Sequence, residues 1–444
     1  MVRKRTTLTF YGGVNEVGGN KVLLRDGDTK IFLDFGMSFT LRSQYYSAPF
    51  LTPKSEKSLL EFRILPDLKG VYNFEKSKPE IDGVFISHSH MDHSANITFL
   101  KKEIPVYCGE TTATILKALS DMKPSGSEFN IKDIQLKTFR TGEKIRVGSI
   151  EVEPIHVDHS VPGAYGFIIY TSSGAVVYTG DFRAHGTKPE MTREFVERAR
   201  EAEPVAVISE GTNMVGASVS SEPEVMRKID ELVKQTSGLV LADFSYTDID
   251  RFKSFYQAAR RNNRHLAITL KQAYLLMRLS KDPHLEIPNL NDESILIFQK
   301  RKKRYYRWET KVLETVKADN VVDSLKVAKI QNKVILVTSF YDLEELIEIK
   351  PVHESCYILS ASEPVNEEME IDFNRLVNWL EHYGLPQYHV HVSGHIMPLQ
   401  LREVLKEMKP KRVFPIHGEH VELFKKFMKR LRVQIVERGK EYSI

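Results

Sequence analysis

The residues with the clearest capacity for chemistry form one short segment, His88-Ser89-His90-Met91-Asp92-His93. These imidazoles and the carboxylate directly follow the apolar run Gly83–Ser87. Imidazole nitrogen and carboxylate oxygen are ligands that suit zinc and manganese. A helix could align only some of these side chains, whereas a loop at a strand end can turn all of them inward. The segment therefore predicts a metal-binding loop, with a histidine-rich surface loop as the alternative.

Three further residues stand just beyond strand-like segments in the same way. His159 comes after the run Ile150–Ile155, Asp181 after Val176–Thr179, and His417 after an apolar stretch near the end of the chain. Taken singly, each of them could be a cap or a hydrogen-bond partner at a strand end. Taken together with the dense histidine segment, they indicate a site built on strand-end loops.

The elements that would position these residues are short apolar strands ended by Gly, Asp or His. From Ala217 onward, strands and helices alternate, which is typical of an α/β unit with a parallel sheet. The first pattern returns near Asp372. We therefore predict a first domain made of residues 1–216 and 372–444, interrupted by an inserted domain of residues 217–371. The strands predicted in the first half are Thr7–Tyr11, Ile31–Asp34, Gly83–Ser87, Val176–Thr179 and Val205–Ser209.

Composition excludes several classes of protein. The 444 residues are 41% hydrophobic, which suits two or three globular domains. The net charge is only +4, from 63 basic and 59 acidic residues, so any basic surface must be local. The two cysteines, Cys108 and Cys356, exclude a disulfide scaffold and a cysteine zinc site. With no apolar run long enough to span a bilayer and no signal-peptide pattern, we expect a soluble cytoplasmic protein.

The order and spacing of these ligands resemble the metallo-β-lactamase superfamily, whose motif is HxHxDH followed by a distant His, Asp and His. The resemblance implies an αββα sandwich and two divalent metal ions, with zinc as the first expectation and manganese as the alternative. It implies that Asp34 supports the ligand loop from behind. A hydroxide shared by two such ions could attack phosphorus. One ion would be held by His88, His90 and His159, the other by Asp92, His93 and His417, with Asp181 bridging.

The predicted insertion resembles that of the β-CASP branch, whose members hydrolyse nucleic acids. Glu210, after a predicted strand, and His395, in Val392-Ser393-Gly394-His395, match motifs of that branch. The resemblance implies that His395 donates a proton to the leaving ribose oxygen and that Glu210 orients its ring. Asp92 and Asp181 complete the catalytic set. A histidine at the position of His417 is typical of RNA-directed members, which favours RNA over DNA.

Within this branch the chain resembles ribonuclease J of the archaeal type, without the family's extra C-terminal domain. The run from Phe10 to Asn20 matches a glycine-rich segment of that family. The resemblance implies that a 5′-monophosphate is read by Ser393 and Gly394, with Ser360 or Ser362. It also implies a role in RNA processing or decay, by 5′-to-3′ exonuclease action or by endonuclease action. A homodimer remains open.

Other basic and histidine residues need separate interpretation. The segment from Lys300 to Trp308 combines cations with aromatic rings, which suits phosphates and stacked bases, although such runs are also common on solvated faces. We expect its RNA contacts to include Lys300, Arg301, Arg304 and Tyr305. We interpret His156 as a core or supporting residue and place His185 and His420 outside the ligand set.

Four alternatives remain open from the sequence. They are a 3′-end-processing endonuclease of the cleavage and polyadenylation type, a DNA-repair nuclease of the Artemis type, a small-molecule hydrolase, and a non-catalytic RNA-processing subunit. His417 opposes the DNA nuclease, and the insertion with Glu210 and His395 opposes the small-molecule hydrolase. The complete set of seven ligand positions opposes the non-catalytic subunit.

Overall fold

The computed structural model describes residues 6–47, 50–123, 129–217, 219–362 and 367–444. These form two compact units, the described parts of Met1–Ala217 with Gly394–Ile444 and of Ser218–Ser393. The strands are β1 (Thr6–Gly12), β2 (Lys21–Asp26), β3 (Thr29–Leu33), β4 (Gly83–Ile86), β5 (Val106–Gly109), β6 (Leu136–Phe139), β7 (Ile145–Val147), β8 (Ile150–His156), β9 (Tyr165–Thr171), β10 (Gly174–Tyr178), β11 (Ala206–Glu210), β12 (Val240–Asp243), β13 (His265–Thr269), β14 (Ile295–Phe298), β15 (Val321–Val322), β16 (Val334–Thr338), β17 (Cys356–Leu359), β18 (Gln387–His389), β19 (Val413–Ile416) and β20 (Glu441–Ser443). The α-helices are α1 (Phe39–Tyr45), α2 (Glu56–Glu61), α3 (Met91–Ser94), α4 (Glu110–Asp121), α5 (Pro189–Glu201), α6 (Glu222–Gln235), α7 (Ile249–Arg261), α8 (Leu270–Leu279), α9 (Arg307–Thr315), α10 (Ser324–Lys329), α11 (Leu346–Ile349), α12 (Glu367–His382), α13 (Pro398–Met408) and α14 (Val421–Phe427).

The first unit is a sandwich of two mixed sheets. One sheet has the order β20-β1-β2-β3-β4-β5-β6 and the other has the order β19-β11-β10-β9-β8-β7. The alternating sequence of β1 turns Leu8 and Phe10 into the space between them, where both are fully buried. There they join apolar residues of the second sheet, such as Phe167 and Phe414, in one core cluster.

Helices cover the outer faces of this sandwich. The first sheet packs its outer face against α4 and the segments around it, through residues such as Ala113 and Leu116. The second sheet packs against α5, α13 and α14, through Phe195, Leu405 and Phe424. Each helix contributes one apolar stripe, as expected for a surface helix on a sheet. The layers are therefore α, β, β and α, as the resemblance noted in the sequence implies.

The second unit is built on a parallel sheet of order β15-β14-β13-β16-β12-β17-β18. Its inner strands have short, mainly apolar sequences, and every residue of β16 is buried. Strands covered on both faces are expected to read as continuous apolar runs. One core cluster on this sheet includes Leu376 and Leu380 of α12.

The boundary between the units differs from the sequence prediction at its second crossing. The return to the first unit occurs at Gly394, whereas the sequence predicts it at residue 372. Helix α12 packs on the core of the second unit, and β18 pairs in parallel with β17, with Leu359 opposite His389. The first crossing falls after Ala217, one residue from the predicted position.

The two cysteines and the question of membrane-spanning helices are the remaining features raised by the sequence. Cys108 and Cys356 are both free and buried. Burial raises the pKa of the Cys108 thiol to about 12, so this thiol stays protonated at neutral pH. In the described ranges, no helix has the length and apolar character needed to cross a membrane.

Candidate metal centre and active site

The chemistry-bearing residues of the first unit follow the ends of its strands. In the first sheet, Asp34 follows β3 and the histidine segment follows β4, which pairs with β3 in parallel. In the second sheet, β10, β11 and β19 are parallel neighbours, so Asp181, Glu210 and His417 reach the same edge. Asp34 and His417 both adopt positive φ angles, of 58° and 51°, which are uncommon for residues other than glycine and often mark functional sites.

The first cluster consists of His88, His90, His159 and Asp181. The Nδ1 atom of His90 lies 3.0 Å from Nε2 of His88 and 3.2 Å from Nε2 of His159. The Nε2 atom of His88 lies 3.7 Å from the Asp181 carboxylate. Three ring nitrogens and one carboxylate oxygen thus face a common point.

The second cluster consists of Asp92, His93, His417 and the same Asp181. The Nε2 atom of His93 lies 3.0 Å from Oδ2 of Asp181. The Nε2 atom of His417 lies 3.1 Å from Oδ2 of Asp92 and 3.5 Å from Oδ2 of Asp181. The structure therefore brings all seven sequence-predicted ligands together and places Asp181 in both groups.

Each of four ligand histidines has its second ring nitrogen held by the protein. Oδ2 of Asp34 contacts Nδ1 of His93 at 2.6 Å. The carbonyl oxygen of Gly394 contacts Nδ1 of His159 at 2.7 Å, Oγ of Ser87 contacts Nδ1 of His88 at 3.0 Å, and Oγ1 of Thr212 contacts Nδ1 of His417 at 2.8 Å. A metal-binding histidine usually donates its other N–H to such an acceptor, which fixes the ring and the tautomer.

The charge states of the first cluster also fit a metal centre, whereas in the second cluster, although burial lowers the pKa of His93, Asp181 and Asp34 raise it well above its usual value. Burial lowers the pKa of His88 and His159 well below the usual value, and it lowers the pKa of His90 to about 4. These rings are therefore neutral at neutral pH and offer lone pairs. Burial alone would raise the pKa of Asp181, but His417 and His93 hold it well below its usual range.

A buried oxygen without a partner supports the same conclusion. Oδ1 of Asp181 is buried and accepts no hydrogen bond from any described residue. Buried polar atoms in folded proteins are nearly always paired, so this oxygen calls for a ligand outside the chain. Neutral imidazoles facing one another beside several carboxylates are the donor set of divalent metal ions. The residues present therefore fit two metal ions that share Asp181.

His395 and Glu210 lie beside the second cluster. The Nδ1 atom of His395 lies 3.0 Å from Oε2 of Glu210 and 3.8 Å from Asp181. The other carboxylate oxygen of Glu210 accepts from the backbone N–H of Phe182 at 2.9 Å, which fixes the carboxylate. Although burial lowers the pKa of His395, Glu210 and Asp181 together raise it to about 9. The ring is thus held as a protonated donor at the edge of the site.

Two glycines permit the close approaches that this site needs. A Cβ on Gly394 would lie 2.9 Å from Oγ of Ser160 and 3.0 Å from the ring of His159. Gly18, in the glycine-rich N-terminal run, has a φ of 82°, and a Cβ there would lie 2.6 Å from Cβ of Asp92. Larger residues at either position would push a ligand loop away.

The predicted phosphate-binding residues of the second unit have different surroundings. Ser360 is buried, and its hydroxyl bonds to Arg251 and to the carbonyl oxygen of Val390. Its hydroxyl therefore has partners within the fold, and the binding of a phosphate by Ser360 stays a prediction. Ser362 is exposed and Ser393 is partly exposed.

The basic segment of the second unit is partly neutralised by its own neighbours. Lys300 pairs with Asp342, and Arg301 pairs with Asp323 at 2.8 Å. The hydroxyl of Tyr305 donates to the carbonyl oxygen of Lys300. Arg304 is exposed, and no ion pair is found for it within the described ranges. Ion pairs and a hydrogen bond within the second unit thus account for the positions of Lys300, Arg301 and Tyr305 without RNA.

The remaining histidines lie outside the two clusters. Nδ1 of His156 contacts Oγ1 of Thr141 at 2.8 Å, and its ring stacks on Tyr165 at 4.1 Å. His185 is buried against Gln400, and His420 is exposed.

Sequence reasoning missed several residues that support the site. The hydroxyl of Tyr178 donates to Asp34 at 2.6 Å, and Nδ2 of Asn20 lies 3.0 Å from Nε2 of His93. Nδ2 of Asn213 donates to the carbonyl oxygen of His395 at 2.7 Å. Tyr178 belongs to an apolar strand and gave no signal, whereas Asn213 stands three residues after Glu210 and could have been suspected.

Family models match two parts of the chain. Residues 66–212 match the model described as a beta-lactamase superfamily domain, and residues 387–440 match that of a Zn-dependent metallo-hydrolase RNA specificity domain. Ribonuclease J 2 of Streptococcus pyogenes is 24% identical over 93% of this chain and 69% of its own length. Ribonuclease J of Mycoplasma genitalium is 23% identical over 94% of this chain and 68% of its own length. Over nearly its whole length this chain is thus similar to ribonucleases J, and residues 66–212 are similar to the beta-lactamase superfamily domain.

The fold of this chain also has a counterpart among solved structures. A protein of unknown function from Enterococcus faecalis V583 superposes with a TM-score of 0.79 at 21% sequence identity. The superposition covers 99% of this chain and 100% of the other. At that identity the likeness concerns the fold alone.

Proposed function

We propose that this chain is a metal-dependent ribonuclease that hydrolyses RNA phosphodiester bonds, by 5′-to-3′ exonuclease action in RNA processing or decay. The observation that carries the proposal is the pair of ligand clusters sharing Asp181, with His395 and Glu210 at their edge. The match to an RNA specificity domain and the ribonuclease J relatives support RNA as the substrate.

Two divalent ions, with zinc first and manganese as the alternative, would be held by the seven ligands described above. When bound, they would activate water and offset negative charge on the phosphoryl oxygens. The chain's own residues prepare this site. Asp34 and Thr212 aim the rings of His93 and His417 into it, and Asp181 reaches both clusters.

The proton for the leaving group comes from His395. In hydrolysis a water oxygen bonds to phosphorus, and the bond from phosphorus to the ribose oxygen breaks. That oxygen leaves far more easily when it takes up a proton, and general acids contribute about 10²- to 10⁴-fold to such steps. With Nδ1 held by Glu210, Nε2 of His395 delivers the proton. Glu210 keeps the ring charged and oriented until then.

The exonuclease direction rests on the resemblance of the Val392–His395 segment to ribonuclease J. By that resemblance the 5′-phosphate would be read by Ser393 and Gly394, with Ser360 or Ser362. Internal cleavage is the alternative mode, and a substrate with two kinds of 5′ end distinguishes the two.

The test uses one RNA labelled at its 3′ end and carrying either a 5′-monophosphate or a 5′-hydroxyl. Wild-type protein with zinc or manganese is compared with Asp181→Ala and His395→Ala, and with His420→Ala as a matched control, since His420 is exposed and outside the clusters. We expect shortening from the 5′ end that is faster on the monophosphate, retained in the control, lost in Asp181→Ala and strongly slowed in His395→Ala. Discrete internal cuts would replace the exonuclease mode with an endonuclease mode. No cleavage with either metal would refute the enzymatic proposal.

A further inference from the structure

A basic pocket lies in the first unit, on the outer helices of the sandwich. It has a volume of about 270 Å³ and is lined by Arg402, Lys406, Phe427, Met428, Lys429, Arg430 and Leu431. Four of these residues carry positive charge, and none carries negative charge. None of them is a metal ligand or a catalytic residue of the proposed reaction. We call this site the α13–α14 pocket.

We propose that the α13–α14 pocket binds single-stranded RNA at a distance along the strand from the cleaved bond. The proposal rests on the proposed ribonuclease function, and it adds a second contact for the same substrate. The pocket joins positive charge with planar groups, which is the combination that proteins use for single-stranded nucleic acid. It also lies entirely within residues 387–440, which match the RNA specificity domain.

The charge of the pocket is only partly offset by a neighbour. Glu403 pairs with Lys406 at 2.9 Å, and its carboxylate lies 3.5 Å from Nε of Arg402. Four cations and this one carboxylate leave a net charge of +3. Lys406, in the last turn of α13, also complements that helix's dipole, but Arg402 lies in the middle of α13, where the dipole gives no reason for a cation.

The planar groups of the pocket come from Arg402 and Phe427. The guanidinium carbon of Arg402 lies 4.8 Å from the centre of the Phe427 ring. Nε of Arg402 is buried and makes no hydrogen bond to any described residue, despite the nearby Glu403. A guanidinium beside an aromatic ring can stack on a base while its N–H groups reach a phosphate. A chain of phosphates and bases therefore uses both features of this pocket.

The floor of the pocket is fixed by the core beneath it. Met428 is buried, and Phe427 and Leu431 pack against the cluster that joins α13 and α14 to the second sheet. Lys429 and Arg430 are exposed on the same short segment. The cations thus project from a rigid base, which lowers the entropy that binding must overcome.

The experiment compares two double variants with the same loss of charge. Lys429→Gln with Arg430→Gln removes two pocket cations, and Lys425→Gln with Lys426→Gln removes two exposed lysines of α14 that do not line the pocket. The full chain is titrated with a phosphorothioate RNA of about 20 nucleotides, which resists hydrolysis, across a series of salt concentrations. Cleavage of an RNA of about six nucleotides is measured in parallel, and thermal unfolding checks that each variant is folded.

We expect the pocket variant to bind the long RNA about tenfold more weakly at moderate salt. Its slope of log Kd against log salt should fall by about 1.4, since each phosphate contact on a single strand contributes about 0.7. The lysine control should keep the wild-type slope, and both variants should cleave the short RNA normally. Equal weakening by both double variants would overturn the proposal, because it would reduce the effect to general charge.

Additional measurements distinguish RNA from other anionic ligands of the pocket. Arg402→Lys keeps the charge but loses the planar group, so we expect weaker binding of RNA and unchanged binding of polyphosphate. Fluorescent adenosine monophosphate and poly-glutamate are tested as other ligands of the pocket. If either of them binds there while Lys429→Gln with Arg430→Gln leaves the affinity for long RNA unchanged, the RNA proposal is wrong. The site would then serve a free nucleotide or an acidic protein. Normal cleavage of short RNA in that case would leave the proposed ribonuclease function intact. A wild-type chain that neither binds nor cleaves RNA would refute both.

Discussion

Replacing Asp34 with asparagine tests whether the carboxylate behind the site controls the tautomer of a metal ligand. Oδ2 of Asp34 lies 2.6 Å from Nδ1 of His93, 2.6 Å from the hydroxyl of Tyr178 and 2.8 Å from Oγ of Ser87. Its Oδ1 accepts from the backbone N–H of Ser87 at 2.7 Å. Asparagine has one acceptor oxygen, so an NH₂ group must face one of these two sets of donors.

The effect on His93 depends on which of the donors to Asp34 can accept a hydrogen bond from the new NH₂ group. The hydroxyls of Tyr178 and Ser87 can rotate to accept a bond, but the imidazole can accept at Nδ1 only by moving its proton to Nε2. That nitrogen faces Asp181 at 3.0 Å and is the one expected to bind metal. Loss of such a supporting partner costs about 10- to 100-fold in metal affinity, or roughly 1.4–2.8 kcal/mol. We expect Asp34→Asn to weaken the binding of one ion by that amount.

The assay is calorimetric titration of metal-free protein with zinc and with manganese. Tyr178→Phe is the matched control, because it removes one donor to Asp34 and leaves the bond to His93 intact. We expect this control to bind both ions with nearly wild-type affinity. Wild-type affinity in Asp34→Asn, or an equal loss in Tyr178→Phe, would refute the reasoning about the tautomer.

Three further predictions follow from the same structure. Chelator treatment should abolish RNA cleavage and lower the Tm, because the carboxylates of both clusters then lack their counter-ions, and added zinc or manganese should restore both quantities. His395→Ala should lower kcat about 10²- to 10⁴-fold with unchanged metal content, and Glu210→Gln should act in the same direction, which activity and metal analysis together would check. Burial, with neighbouring carboxylates, raises the pKa of Asp248 to about 7 against the lowering effect of Arg251. An unfolded aspartate ionises near pH 4, so the stability that this group contributes is present below about pH 4 and is lost as pH rises to about 7, by a few kcal/mol. Asp248→Asn should flatten urea-unfolding stability over that window, and an unchanged pH dependence would contradict the assignment.

The ligands could be predicted from the sequence because most of them follow an apolar strand within a few residues, although Asp92 and His93 lie on the short helix α3 and not in a loop. A strand ends where its apolar pattern ends, so the local sequence already shows that His88 and Asp181 lie at sheet edges. The HxHxDH motif, with its distant His, Asp and His, then indicates which strand ends lie close together. The partners that orient the rings are harder to find, since Tyr178 looks like any other strand residue and Thr212 like any loop residue.

The domain boundary shows a second limit. Helix α12 is amphipathic, and its apolar face could pack on the sheet of either unit. The sequence therefore does not say which core the helix joins. Its packing through Leu376 and the pairing of β18 with β17 decide the matter in favour of the second unit. The charge run beginning at Lys300 shows the same limit, because Asp323 and Asp342 lie far along the sequence from their partners.

The short segment at the end of β11 explains how one site can be assembled on both sides of a long insertion. Parallel pairing places Glu210 opposite Ile416, so Glu210 and His417 emerge side by side. Thr212 then holds the ring of His417, and Asn213 holds the carbonyl oxygen of His395. Residues just before the insertion thus fix the residues that follow it. The geometry of the two ligand clusters therefore depends on contacts within the first unit.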